Sequence, residues 1–263
     1  MNRVDKRRVR AAFSRSATAY DARATVQRRV RERVVALLAE AAPRVRRALD
    51  VGAGTGALLA RLAEERPGLA AAAVDLAPGM CAAVRAAAPH TLVAAADAEA
   101  LPFRAEVFDL FVSTSTFQWL PRLGPALAEA RRVLAPGGLL CLALFGERTL
   151  LELREAWRAA SGPAAAGGTH AFLSCADVRA ALEAARFGDA RVLEEDLVER
   201  HEDARAVLRA LKEVGASSAV PGRAGLGGRA RTLEMLRRYD EAHAGPQGVP
   251  ATYHVVYALA RRG

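Results

Sequence analysis

Residues 48–56 read ALDVGAGTG, an apolar run closed by an acid and followed by three alternating glycines, Gly52, Gly54 and Gly56. Glycines after a first strand let the backbone approach a ligand closely and present amide N–H groups at a helix start. Dinucleotide-binding enzymes space theirs as GxGxxG, with a pyrophosphate on the helix end. Here the spacing is GxGxG with Asp50 beside it, and an acid in that place repels a pyrophosphate but can pair with a cation. Asp75, about twenty residues on, is placed to accept hydrogen bonds from two ribose hydroxyls. Asp97-Ala98 lies where an acid can reach the exocyclic amine of adenine. Three successive strand ends thus offer acids suited to parts of one molecule. S-adenosylmethionine (SAM), with sulfonium and ammonium charges, has those parts. Leu76, Met80 and Ser113 complete the cofactor-side set, although Met80 is equally readable as an ordinary core methionine.

The elements that would hold these residues alternate regularly. RALDV, LAAAAVD, TLVAAA, FDLFVST and GLLCLALF read as strands. Between them, GALLARLAEE, residues 79–87 and LGPALAEARRVL have helical spacing. This is the rhythm of a doubly wound α/β sheet, whose ligands lie beyond the carboxyl ends of the strands. Residues 6–41 read as helical, so 1–42 are expected to form an N-terminal helical cover. Later, ARVLEEDLVE and TYHVVYALA read as two more strands, making a seven-stranded Rossmann-like sheet. A helical lid insert, 201–248, is expected between them, all within a single domain of 263 residues.

Composition narrows the function classes. No apolar run approaches a membrane span, and MNRVDKRRVRAAF lacks the apolar stretch of a signal peptide, so a cytoplasmic protein without a membrane partner is expected. Cys81, Cys141 and Cys175 fit neither a disulfide framework nor a CxxC metal site and read as buried bystanders; no metal is expected. The formal charge of +9 leaves RNA or an acidic carrier protein open as partners. Nearly all of it is arginine; Lys6 and Lys212 are the two lysines. After the fourth strand stands STSTFQW rather than the (N/D/S)PP(Y/F) turn expected of base-directed amino-methyltransferases. Aromatics are only 5% of the chain. A nucleic-acid partner is therefore not expected.

Residues 46–145 resemble the class I, seven-stranded, SAM-dependent methyltransferases. A narrower resemblance runs over nearly the whole chain: AAFSRSATAYD (11–21), FQW after strand four, LKEVGASSAVPGR (211–223) and PATYHVVYALA (250–260) are similar to the malonyl-acyl carrier protein O-methyltransferases of biotin synthesis. One departure is Thr114, where such enzymes often carry Asn; a backbone contact to SAM survives that change and a side-chain amide contact does not. The resemblance implies methylation of the free carboxyl of a malonyl thioester, with an acyl carrier protein as partner. A carboxyl with an ordinary pKa near 4 is already ionised at neutral pH. The site then needs positioning and exclusion of water rather than an acid–base pair.

Candidates for positioning the acceptor are Tyr20, Gln118, Trp119, Lys212, Arg223, Tyr253 and His254. Tyr20 could close over SAM or pin its helix. Trp119 could wall the pocket or fill the core, and Lys212 and Arg223 could pair with a carboxylate or phosphopantetheine. Two other readings keep the acids at the strand ends. One is a small-molecule C- or O-methyltransferase of quinone or secondary metabolism, which a histidine base facing SAM would favour. The other is a SAM-binding protein without catalysis, or a basic RNA-binding or RNA-methylating module.

Overall fold

The computed structural model describes residues 5–17, 20–41, 44–161, 172–216 and 228–263. Seven strands form one sheet: β1 (Arg47–Val51), β2 (Ala70–Asp75), β3 (Leu92–Ala95), β4 (Phe108–Thr114), β5 (Leu134–Phe145), β6 (Phe187–His201) and β7 (Val249–Arg262). Their order is β3-β2-β1-β4-β5-β7-β6. The pairs among β1 to β5 are parallel, and β7 runs antiparallel between β5 and β6.

Apolar side chains leave both faces of the central strands. On β1, Ala48 joins one core and Leu49 and Val51 the other, as the two-residue strand period requires. One face is covered by α3 (Thr25–Ala41), α4 (Ala57–Glu65), α5 (Pro78–Ala87), α7 (Leu151–Ser161), α9 (Ala204–Glu213) and α10 (Gly228–His243). The other carries α6 (Leu123–Val133) and α8 (Cys175–Ala184). The sheet is buried on both sides, which parallel strands with helical crossovers demand. Register then places the acids. Asp50 pairs with Ala73 and Val112, and Asp75 with Ala95, so both carboxylates stand at the same edge of the sheet.

The N-terminal region divides where a single cover is expected. α3 buries Val26, Val30, Val34, Val35, Leu37 and Leu38 in the main core. Only α1 (Lys6–Ser16) and the short α2 (Tyr20–Arg23) reach the carboxyl edge of the sheet, and α1 buries Val9 alone. The insert before the last strand divides similarly. α10 fixes Met235, Leu236 and Tyr239 in the core, with the Tyr239 hydroxyl donating to the Pro250 carbonyl at 2.6 Å, while α9 carries Leu211 towards the site. Both helices present an apolar stripe, and a stripe of that kind is buried against a neighbour rather than left over a cleft. Residues 162–168 and Arg223 lie outside the described residues.

Leu142, fully buried in β5, and Leu92, 70% exposed in β3, are the same residue type in opposite surroundings. Leu142→Ala is expected to lower unfolding free energy by about 2–5 kcal/mol. Leu92→Ala should change it by less than about 0.5 kcal/mol. Urea denaturation of both variants measures the difference.

Candidate functional site

Two adjoining cavities open beyond the carboxyl ends of β1, β2 and β4. Counting space open to solvent, the larger holds about 730 Å³ and the smaller about 440 Å³. Phe13, Tyr20, Ser115 and Trp119 belong to both, forming the wall between them.

The glycine turn builds the floor of the larger cavity. Gly52 has φ +77°, and a Cβ there would stand 2.0 Å from the Thr116 hydroxyl; no other residue type fits. Its amide donates to the Val74 carbonyl at 2.7 Å, tying the turn to β2. Gly54 donates its amide to Asp75 Oδ2 at 2.9 Å, and Ala77 donates to Asp75 Oδ1 at 2.8 Å. These bonds fix the Asp75 carboxylate facing the cavity while each oxygen keeps a further lone pair. Burial pushes the Asp75 carboxyl above its ordinary value, and the two amide donors pull against that shift. Leu76, Met80, Asp97 and Ala98 line the same space.

Not every expected cofactor-side residue does. Gly56 caps α4 in the left-handed region with φ +86°, and Ser113 is buried with its hydroxyl donating to the Val51 carbonyl at 2.6 Å. Both build the turn and neither lines the cavity. Asp50 is also behind the wall, 1% exposed, and its Oδ1 has no hydrogen-bond partner among the described residues. Burial, then the charge of Asp75, pushes its carboxyl up to about 8, with Arg31 acting in the opposite sense.

Of the acceptor-side candidates, Tyr20, Gln118, Trp119 and Tyr253 surround the smaller cavity. Gln118 Nε2 donates to the Ser115 carbonyl at 2.7 Å, while its Oε1 is buried without a partner among the described residues. Burial raises the phenols of Tyr20 and Tyr253, and nearby carboxylates raise them further, so both stay protonated and keep a proton to donate. His254 faces the other way. It is the strand neighbour of Tyr253, so its ring leaves the opposite side of β7 and its Nε2 meets Glu194 at 2.9 Å. Lys212 is exposed and absent from either cavity wall; the last turn of α9 turns Leu211 inward instead. Cys175 is not a buried bystander. Its thiol donates to the same Glu194 oxygen at 3.0 Å, and Arg148 donates its amide to His254 Nδ1 at 3.4 Å. Cys175, Glu194 and His254 thus have their polar groups partnered within the cluster.

Several site residues carry no signal in the sequence reading. Ser115 sits at φ +53° on both cavities, its buried hydroxyl without a partner among the described residues, and a serine does not announce a left-handed backbone. Gln27 and Thr149 line the smaller cavity from elements far apart in the chain. Lys6 was visible as a rare lysine, but its placement beside Asp97, Nζ to Oδ2 2.6 Å, follows from folding alone.

The profile of a family described as a methyltransferase domain matches residues 49–142. A malonyl-[acyl-carrier protein] O-methyltransferase of Geobacter sulfurreducens is 51% identical, over 98% of this chain and 100% of that protein. One from Halorhodospira halophila is 39% identical, over 98% of this chain and 88% of its own length. The chain belongs to the malonyl-[acyl-carrier protein] O-methyltransferase family. SAM-dependent methyl transfer is accordingly its chemistry, and SAM its methyl donor. The fold has solved counterparts. The YcgJ protein of Bacillus subtilis matches at TM-score 0.61 and 15% identity, over 87% of this chain and 97% of that one. A SAM-dependent methyltransferase of Thermotoga maritima matches at 0.59 and 17%, over 97% of this chain and 100% of its own. Among the described residues no helix is long and apolar enough to cross a membrane.

Gly52→Ala is expected to fold but to displace Thr116 and the turn, weakening SAM binding by about a hundredfold, roughly 3 kcal/mol. Gly54→Ala meets no protein neighbour, so its fold should lose only the left-handed backbone penalty of about 1–2 kcal/mol. Urea denaturation reads that cost, and calorimetric titration with SAM reads the effect of Gly52→Ala.

Proposed function

We propose that the protein transfers the methyl group of SAM to the free carboxylate of a malonyl thioester on acyl carrier protein, leaving a methyl ester. The observation that carries this reading is the smaller cavity. Among the described residues its lining contains no histidine, carboxylate, lysine or arginine, only Tyr, Gln, Ser and Thr groups among apolar walls. A C-methyltransferase must remove a proton from carbon, and the histidine that could have done so, His254, points away into its pair with Glu194. A carboxylate needs no such help. Its pKa near 4 leaves it ionised at neutral pH, and neutral donors hold it without pairing it so strongly that it loses nucleophilicity.

SAM supplies an electrophilic methyl on a positively charged sulfur. Asp75 is proposed to accept from the ribose hydroxyls, Asp97 from the adenine amine, and Gly52 and Gly54 to let the chain pass close to the ligand. Asp50, behind the turn with an unpartnered oxygen, is the proposed counter-charge to the ammonium end. The phenols of Tyr20 and Tyr253, with the amide of Gln118, orient the acceptor, and Phe13 and Trp119 keep water out. Esterification removes the malonyl charge, which would be costly to bury in apolar chain-extending enzymes, consistent with a role in making a primer for biotin synthesis. The net charge of +9 favours encounter with an acidic carrier.

Labelled SAM should mark malonyl-carrier and leave acetyl-carrier, which has no free carboxylate, unmarked; equal labelling of both would remove the ester-forming mechanism. Asp75→Ala should weaken SAM binding by about 2 kcal/mol or more, roughly thirtyfold; unchanged affinity by calorimetry would displace the ribose contact. At saturating SAM, turnover should be flat from about pH 6 to about pH 8.5, because the nucleophile is ionised and the tyrosines protonated throughout. SAM affinity, by contrast, should rise with pH. The Asp50 carboxyl, at about 8 in the free protein, must lose its proton to meet a cation, and the SAM ammonium persists up to about pH 8. Between about pH 6 and about pH 7.5, binding should therefore release a proton, and Asp50→Asn should abolish that release. Calorimetry in buffers of different ionisation enthalpy reads it directly.

A further inference from the structure

We infer that Lys6 is a positioning residue, a latch that closes α1 over the adenine end of the donor cavity and holds the cofactor in. The inference rests on the placement of SAM proposed above and adds a role for the N-terminal helix. Lys6 Nζ meets Asp97 Oδ2 at 2.6 Å and Glu99 Oε2 as well, and all three side chains are about one-quarter to one-third exposed. Asp97 Oδ1 separately accepts the Glu99 amide at 3.1 Å. The carboxylate is therefore fixed at both oxygens, yet each oxygen keeps a lone pair for a further donor. Burial pulls the Lys6 ammonium down, but its hydrogen bonds and the two negative charges outweigh it and hold it charged.

Near Lys6 the helix has little else to keep it in place. α1 buries only Val9, and the edge contacts of Phe13 with Tyr20 and Trp119 lie in its C-terminal half, so apolar contact at the Lys6 end is slight. Among the described residues, two polar ties join it to the body. At its C-terminal end the Ser14 hydroxyl accepts the Gly79 amide at 3.4 Å, where a Cβ on residue 79 would stand 2.6 Å from the Ser14 carbonyl oxygen. At its N-terminal end, eight residues and about 12 Å away, is the Lys6 pair. Val9 and Phe13, between these ends, form part of the cavity wall. A beam seated at Gly79 and released at Lys6 would open that wall; paired, it closes it. Lys6 is one of two lysines among thirty-eight basic residues.

The test compares full-length wild type with Lys6→Gln, Lys6→Arg and Asp97→Ala. SAM affinity is read by calorimetry and SAM release by stopped-flow intrinsic fluorescence. Circular dichroism and thermal unfolding check each variant's fold. Lys6→Gln should release SAM about tenfold faster, while Lys6→Arg, which keeps the charge, should stay within about threefold of wild type. Bound SAM should slow tryptic cleavage at Arg7, Arg8 and Arg10 in the wild type and fail to do so in Lys6→Gln. Wild-type release by Lys6→Gln, together with weakened binding by Asp97→Ala, would overturn the latch and leave the cofactor site standing. Unchanged affinity in Asp97→Ala would overturn both. Equal impairment of Lys6→Gln and Lys6→Arg would also sink the latch, since charge would then not be what Lys6 contributes.

Discussion

The Asp75 carboxylate, gripped by the amides of Gly54 and Ala77, is the joint on which the site depends. It links the turn after β1 to the turn after β2, so two loops that would otherwise drift act as one surface. The parallel register beneath sets the spacing, and Gly52 lets the β1 turn reach Val74 without colliding with Thr116. A carboxylate held this way costs free energy to bury, which its raised proton affinity reflects. The fold tolerates that cost because its amides are partly satisfying the charge before any ligand arrives. Preorganisation of this sort lowers the ordering cost of binding.

Chemistry in the adjoining cavity is defined as much by what its lining lacks as by what it holds. Hydroxyls and amides from three distant parts of the chain meet there: Tyr20 and Gln27, Gln118, and Tyr253. None can take a proton at neutral pH, since burial holds the two phenols protonated. An acceptor that arrives already ionised is the one such a room can serve. The alternation of β7 decides the matter, sending Tyr253 towards the cavity and His254 towards Glu194. A one-residue slip in that strand would exchange them and put an imidazole in the cavity wall.

The two ends of the chain's secondary structure differ in how firmly they are held. α3 and α10 are buried by apolar stripes and belong to the core. α1 is carried on one buried valine, the edge contacts of Phe13 with Tyr20 and Trp119, and a few polar contacts, which is the profile of an element drawn from the low-stability end of a fold. The latch proposed for Lys6 needs an element of that kind. Ligand must enter and product leave on every cycle, and a helix sunk in the core could not permit it.

The alternation of strands and helices, the glycine turn and the acids at Asp50, Asp75 and Asp97 were readable from residues 46–145, because strand ends in a doubly wound sheet share one edge and local pattern reports them. The family was readable too, from short segments outside the sheet. Which of those residues face the cavity was not. Ser113, Lys212 and His254 turn elsewhere, Ser115 adopts a left-handed backbone that its type does not advertise, and Lys6 finds Asp97 across 91 positions of sequence. Orientation on a strand or helix is set by register and by which face finds apolar cover, and both are settled only when distant segments pack together. Sequence determined which chemistry was within reach; tertiary packing decided which side chains were aimed to perform it.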